Sequence, residues 1–456
     1  MSIFQFFSPI SQNLINILNS PEPDIIEILS EPTCVRAFQS NNEDLVHFFL
    51  SHLQQLIDIC FNLDNPSLST KAYNILSQEN ITLNTNLLKE HLSNISDDIF
   101  EKEDPILINR FAKITKNSCL ALPSSMFDFC SDFLAQFIDY ISEPEVYDMF
   151  YSFFVNENTA PLFLTRDFQN NFVSAIESAP SEFSSEFGDR NIPQVVGLFK
   201  IISQIYKINI KSEQFFKSAI LTPTNIQILA RSFDDSYVSL LDAQYSALQQ
   251  LCVDQPSSFL FLMPKLLEFL SFSPDETYFH EYQTCSIRII TSFLKTEFSG
   301  TVPNFLINEK LPSQLLMEIN IFEKFIQIIK QFPGHTIASS AISDFILTIF
   351  SQKTKLPLQE NIVSLFVPFL NEILCTSKRF EQKAFAWNLL TEILKIDETI
   401  KQSLNQEANH LLEHLTSLSE ANYGGEIPEK PVYDEENISL TPEKLLLLLN
   451  LLKGAR

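Results

Sequence analysis

The sequence predicts an all-α protein, an α-solenoid of irregular helical hairpins, and three observations carry that reading. Glycine is scarce, at seven in 456 residues, against a usual share of about 7%. Apolar residues step by three and four wherever a period is clear, and prolines recur where new helices would begin. Nucleotide-binding glycine loops and tight β-turns use backbone conformations that glycine reaches most easily, so this composition argues against both. Hydrophobic residues at 45% and charged residues at 19% keep the chain in the globular range and exclude a disordered or collagen-like one. The length allows about three average domains or one long repeat array.

Along the chain, the stripe Met126, Cys130, Phe133, Leu134, Phe137, Ile138, Ile141 predicts one helix over 126–141. Leu315, Ile319, Phe322, Phe325, Ile326 and Ile329 draw a second stripe; Ala338, Ala341, Ile342, Phe345, Ile346 and Ile349 draw a third. Pro stands just inside a helix start at Asp104-Pro105, Glu143-Pro144, Thr222-Pro223, Leu311-Pro312 and Thr441-Pro442, where its missing N–H costs nothing. Helices of about 12 to 20 residues joined by short breaks form antiparallel hairpins, and a long succession of these stacks as a solenoid more naturally than as a bundle. No strict period is visible, which favours a divergent armadillo/HEAT-like array over tetratricopeptide or ankyrin repeats.

Phenylalanine, at 42 residues, delivers buried area without a polar partner. Phe4, Phe6, Phe7, Phe153 and Phe154 therefore read as core packing rather than as a ligand box. The helical-repeat domain is assigned to 1–418. Gly424-Gly425, Pro428, Pro431 and Asp434-Glu435-Glu436 mark 419–440 as an exposed acidic linker. Thr441-Pro442-Glu443 then opens a Leu-rich helix over 441–456 that caps the array or docks into a partner groove.

The formal net charge of −25 gives a surface that repels phosphate backbones and anionic lipids, so nucleic acid is excluded as an expected ligand. Most of that charge solvates outer helix faces. Met1 to Phe7 has no basic segment and too short an apolar run for an export signal, and Leu445 to Leu452 is far shorter than the ~20 residues of a membrane span. No membrane insertion is expected. Cys34, Cys60, Cys119, Cys130, Cys252, Cys285 and Cys375 are scattered, with no C-x-x-C pair, and read as buried reduced thiols. Sequons at Asn80, Asn94 and Asn437 read as chance matches. The expected location is the cytoplasm, with the nucleus as the alternative.

His410, Glu413 and His414 spell H-x-x-E-H, and i,i+4 spacing does put both imidazoles on one helix face. A catalytic zinc also needs a third ligand and an enclosing cavity. The reading is an amphipathic helix with Leu411, Leu412, Leu415 and Leu418 inward and the histidines at its rim. His47, His52, His91, His280 and His335 have no partner at ligand or triad spacing, and no G-x-S-x-G, P-loop or G-x-G-x-x-G occurs. Asp97-Asp98 and Asp234-Asp235 are assigned to helix starts, where they complement the dipole. No enzyme activity, metal or cofactor is expected.

From Asp24 the chain runs Ile25-Ile26-Glu27-Ile28-Leu29-Ser30-Glu31-Pro32, then Cys34-Val35-Arg36-Ala37-Phe38-Gln39-Ser40-Asn41-Asn42-Glu43-Asp44-Leu45-Val46-His47-Phe48-Phe49. This resembles the opening of the SAPS domain, found in regulatory subunits of protein phosphatase 6, with Asn42, Leu45 and Phe48 in register. Arg110 to Asn117, Asn191 to Gln204, Ser286 to Leu294 and Phe325 to Phe350 are similar to later segments in the family's order. The resemblance extends over most of 10–375. Glu43 and Asp44 stand where the family has two basic residues, and Gly334 where it has Trp.

The resemblance implies a non-catalytic regulatory subunit that binds a type 2A-like Ser/Thr phosphatase catalytic subunit, with further scaffold subunits as additional partners. It places partner binding at Arg36, Gln39, Asn42, Glu43 and Asp44. On its own spacing, Asn42 is the N-cap of the helix that begins with Glu43 and Asp44. The alternative function is an armadillo-like scaffold or transport adaptor for an unrelated, basic client drawn to the acidic surface.

Overall fold

A computed structural model describes residues 11–165, 168–180, 188–207, 220–271, 276–300, 306–307, 310–352 and 357–423. Among them the chain is helical, and the sole β feature is an isolated bridge between Ile307 and Lys310. The all-α expectation is met.

Short polar residues start the helices, because the first turn of any helix leaves backbone N–H groups without acceptors. Ser11 caps α1 (Gln12–Leu18), Asp24 caps α2 (Ile25–Ser30), and Asn42 caps α4 (Glu43–Ser51), which follows α3 (Cys34–Gln39). After α5 (Leu53–Phe61), Asn65 and Asn80 cap α6 (Pro66–Leu76) and α7 (Ile81–Asn86). Next come α8 (Leu92–Lys102) and α9 (Pro105–Ala121), the latter capped by Asp104. Then follow α10 (Met126–Leu134), α11 (Pro144–Val155), α12 (Ala160–Thr165), α13 (Gln169–Ser178) and α14 (Gly188–Lys207). Thr222 caps α15 (Pro223–Leu229), ahead of α16 (Val238–Cys252), α17 (Met263–Phe269), α18 (Glu281–Ser299) and α19 (Pro312–Glu318). Pro105, Pro144, Pro223 and Pro312 stand in first turns as the sequence requires. Pro442 lies outside the described residues.

Two of the stripes break where one helix was expected. Met126 to Ile141 is buried as read, but the backbone tightens into a 3₁₀ segment over Ala135–Tyr140. Leu315 and Ile319 belong to α19 and its end, while Phe322 onward belongs to α20 (Ile321–Gln331), because Asn320 turns left-handed at φ 53° between them. On α20 the buried face is Ile321, Phe322, Phe325, Ile328 and Ile329, with Ile326 half-exposed. The third stripe holds: Ala338, Ala341, Ile342, Phe345, Ile346 and Ile349 are all buried on α21 (Thr336–Phe350). Asp97 and Asp98 lie in the middle of α8 rather than at a helix start, because α8 follows directly on a π-helical turn at Leu87–His91 that extends it backwards.

The chain divides into two compact units, Met1–Lys324 with Ile337–Thr348, and Phe325–Thr336 with Ile349–Arg456. In the first, α9, α11, α14, α16 and α18 pack side by side in chain order. That near-neighbour succession is the connectivity of an α-solenoid, in which each layer touches only the next. Gly197 on α14 lets its backbone meet Ile141, where a Cβ would come within 3.0 Å of the Ile141 carbonyl oxygen. Phenylalanine supplies much of the core beside leucine and isoleucine. Phe100, Phe111, Phe133 and Phe137 meet with centroids 5.0 to 6.3 Å apart, and Phe153 and Phe154 are buried beside Phe163. Phe4, Phe6 and Phe7 lie outside the described residues. In the second unit α23 (Val367–Thr376) packs on α24 (Phe380–Ile396) and on α25 (Gln406–Tyr423), following a short α22 (Pro357–Asn361). Helix α25 continues past Leu418 to Tyr423. The remainder of the linker expected over 419–440 and the helix expected over 441–456 lie outside the described residues.

One polar device recurs. The last carbonyls of a helix lack intrahelical donors, and here a side chain from later in the chain supplies them. Lys71 donates to Leu29 O and Ser30 O at 2.7 and 2.9 Å, and Arg110 to Cys60 O at 2.7 Å. Arg231 donates to Ile176 O and Glu177 O at 3.0 and 2.8 Å, and Gln244 to Leu229 O at 2.9 Å. Gln283 reaches Phe269 O at 3.1 Å, and within the second unit Gln382 reaches Ile329 O at 3.1 Å. Each link ties the end of one helix to a later segment with a hydrogen bond that apolar packing alone would leave unmade.

Candidate interaction surface

The five residues singled out for partner binding lie on one turn. Helix α3 ends at Gln39, Asn41 takes a left-handed conformation at φ 56°, and its N–H donates to Phe38 O at 2.9 Å. The Asn42 N–H donates to Ala37 O at 3.3 Å, which completes a Schellman closure of α3. The Asn42 side chain then accepts the Leu45 N–H at 2.9 Å and starts α4. One residue thus closes a helix with its main chain and opens the next with its side chain. Phe38 and Phe49 lock the turn from inside, edge to face at 5.8 Å, and both are buried.

Within this frame Asn42 is half-buried, while Arg36 and Gln39 on α3 and Glu43 and Asp44 on α4 are exposed. The N-cap reading of Asn42 is therefore met. Glu43 and Asp44 occupy the first turn, where carboxylates favour the helix dipole. The four exposed side chains present one cation, two anions and an amide around a rigid corner, a polar pattern suited to hydrogen bonds and ion pairs with a protein partner.

The segment Arg110 to Asn117 plays a different part. Arg110 donates to Ser69 Oγ as well as Cys60 O and lies 5.3 Å from the Tyr73 ring centre. Lys113 pairs with Glu145 at 3.3 Å, Lys116 with Asp148, and Asn117 donates to Ser77 O at 2.7 Å. These side chains hold α9 against α5, α6 and α11. In the sequence the segment stood out by resemblance alone; that its side chains face neighbouring helices depends on which hairpins adjoin.

His410, Glu413 and His414 are exposed on α25, and Glu413 pairs with Lys401 at 3.1 Å. Leu412 is buried and Leu411 and Leu415 half-buried, while the side chain of Leu418 lies outside the described residues. Among the described residues no group of three His, Cys, Asp or Glu side chains could hold a metal ion. No helix among them is long and apolar enough to cross a membrane. All seven cysteines are free, and all but Cys375 are buried. Burial pushes the thiols of Cys34, Cys60 and Cys285 up to about 12. Cys119 and Cys130 Sγ lie 3.7 Å apart, in a thiol–thiol hydrogen bond rather than a disulfide.

No family model matches the chain, and no curated protein matches it. Among solved structures, the crystal structure of an engineered protein is similar over 81% of this chain and 85% of its own, at 11% identity and a TM-score of 0.43.

Proposed function

We propose that the chain is a non-catalytic regulatory or scaffold subunit that binds a type 2A-like Ser/Thr phosphatase catalytic subunit, of the protein phosphatase 6 kind, and modulates its activity or substrate access in the cytoplasm. The observation that supports this reading is how the SAPS-like stretch sorts on the α3–α4 corner. Its apolar positions Cys34, Ala37, Phe38, Leu45, Phe48 and Phe49 are buried, whereas Arg36, Gln39, Glu43 and Asp44 are left outward on a rigid turn. The mechanism is presentation: an array of packed helices orients two bound proteins without chemistry of its own. A second reading, a scaffold for a basic client, is favoured by the net charge of −25. Affinity capture with the full chain from its native cell separates the two. Phosphatase catalytic chains should dominate the captured proteins; basic cargo without them would transfer support to the second reading.

A further inference from the structure

An open hollow of about 470 Å³ lies on the first unit between α5 and α8. Ile57, Ile99 and Leu107 form its buried floor, and Phe61, Leu63 and Ile95 stand half-exposed around it. Two exposed carboxylates, Asp58 and Asp98, rise from the same rim. Asp58 accepts from Gln54 Nε2 at 2.9 Å through one oxygen, which leaves the other open. Asp98 has Lys102 one helical turn onward, yet forms no ion pair among the described residues. We infer that this hollow is a docking site for a basic amphipathic segment of a partner protein, which inserts an Arg or Lys side chain with its stem on Ile95 and Phe61 and its cation between Asp58 and Asp98.

The occupant follows from the order of chemistry, apolar within and anionic at the mouth. An acidic or phosphorylated segment would place like charge against Asp58 and Asp98. A purely apolar one would cover two carboxylates that lose water and gain nothing. Arginine and lysine alone among side chains combine an apolar stem with a cationic tip, and Arg also stacks on an aromatic face such as Phe61. The net charge of −25 draws basic segments towards the chain. Lys102, at the same rim, opposes the incoming cation and so supplies a test of opposite sign. This surface is distinct from the α3–α4 corner, and the inference stands whether or not a phosphatase binds there.

The experiment uses the full chain and a fluorescein-labelled amphipathic peptide of Leu and Arg, with a counterpart carrying Glu for Arg. The Arg peptide should bind in anisotropy titrations and the Glu peptide should not. Asp58→Asn with Asp98→Asn should weaken binding about tenfold, because two rim anions face the inserted cation. Lys102→Gln should tighten binding about two- to threefold for the same reason. Ile95→Trp, which places a bulky ring where the inserted stem would lie without altering charge, should weaken binding about tenfold. All these side chains are exposed or half-exposed, so melting temperatures should stay unchanged, and that measurement separates a lost site from a lost fold. Equal affinity for wild type and the Asp58/Asp98 double variant, or full binding by Ile95→Trp, would overturn the site and assign any binding to the acidic surface at large.

Discussion

The guanidinium of Arg110 donates to the main-chain carbonyl of Cys60 at 2.7 Å, across a sequence separation of 50. Through Ser69 Oγ and the Tyr73 ring it also holds α6, so one side chain ties together three helices. Removing the guanidinium leaves Cys60 O with the Ser69 hydroxyl as its remaining side-chain donor, at 2.8 Å, and takes two charge-assisted hydrogen bonds from packed helices. Arg110→Met should lower stability by about 1–3 kcal/mol, and Arg110→Lys by less, since one ammonium can still serve Cys60 O. Chemical denaturation of both variants checks the order; an Arg110→Met transition coincident with wild type would show that the link is not structural.

At the α3–α4 corner Asn42 should behave as a cap. Asn42→Asp retains the oxygen that accepts from Leu45 and should melt with wild type, whereas Asn42→Ala should cost about 1 kcal/mol. Loss of stability by Asn42→Asp as large as by Asn42→Ala would contradict a purely capping part.

Glu103 ends α8 in a left-handed conformation at φ 47°, a region where Cβ is unfavourable. Glu103→Gly removes that strain and should raise stability by about 1 kcal/mol, despite the added freedom of the unfolded chain. A lower melting temperature for Glu103→Gly would show that the side chain contributes more than the strain costs.

The helices, their proline starts and the phenylalanine core were legible because each depends on neighbours in sequence: spacing, caps, missing donors. Two breaks were not. The apolar run through Ile319 keeps helical spacing while Asn320 turns the backbone, and the stripe through Phe137 keeps it while the helix tightens. Apolar spacing registers neither event: the tightened helix leaves the same stripe buried, and the turn at Asn320 leaves Leu315, Ile319 and Ile326 half-exposed without altering their spacing in the sequence. At the candidate surface, Asn42 was legible as a cap from its place before Glu43 and Asp44. Asp98 was misplaced at a helix start because the π-turn at Leu87–His91 joins α7 to α8 without a break in polarity. The hollow beside Asp98 needs α5 as its other wall, a pairing of distant segments that no local pattern encodes.

Glu297 gives a pH dependence. Burial raises its carboxyl above the ordinary value of 4.5, although the Ser313 N–H at 2.9 Å and the Ser313 hydroxyl favour the charged form. A carboxyl raised in the folded state binds its proton more tightly there, so its contribution is full below the ordinary range and is lost as pH rises through the raised value. Glu297→Gln can still accept from the Ser313 N–H and donate to its hydroxyl, without a charge to bury. The stability of wild type relative to Glu297→Gln should therefore fall as pH rises from about 4.5 and level off once the carboxyl is ionised in both states. A difference that grows with pH would reverse the assignment.

The account turns on whether the exposed residues of the α3–α4 corner bind a phosphatase. The direct measurement is the affinity of a purified type 2A-like catalytic subunit for the full chain, compared with a variant carrying Arg36→Ala, Gln39→Ala, Glu43→Ala and Asp44→Ala. All four side chains are exposed and outside the capping bonds of Asn42. The account predicts binding by wild type and a loss of at least about tenfold in the variant, which stays folded and loses no more than the ~0.3–1 kcal/mol that each first-turn carboxylate contributes through the helix dipole. Absence of binding by wild type, or equal affinity for the two chains, would contradict it.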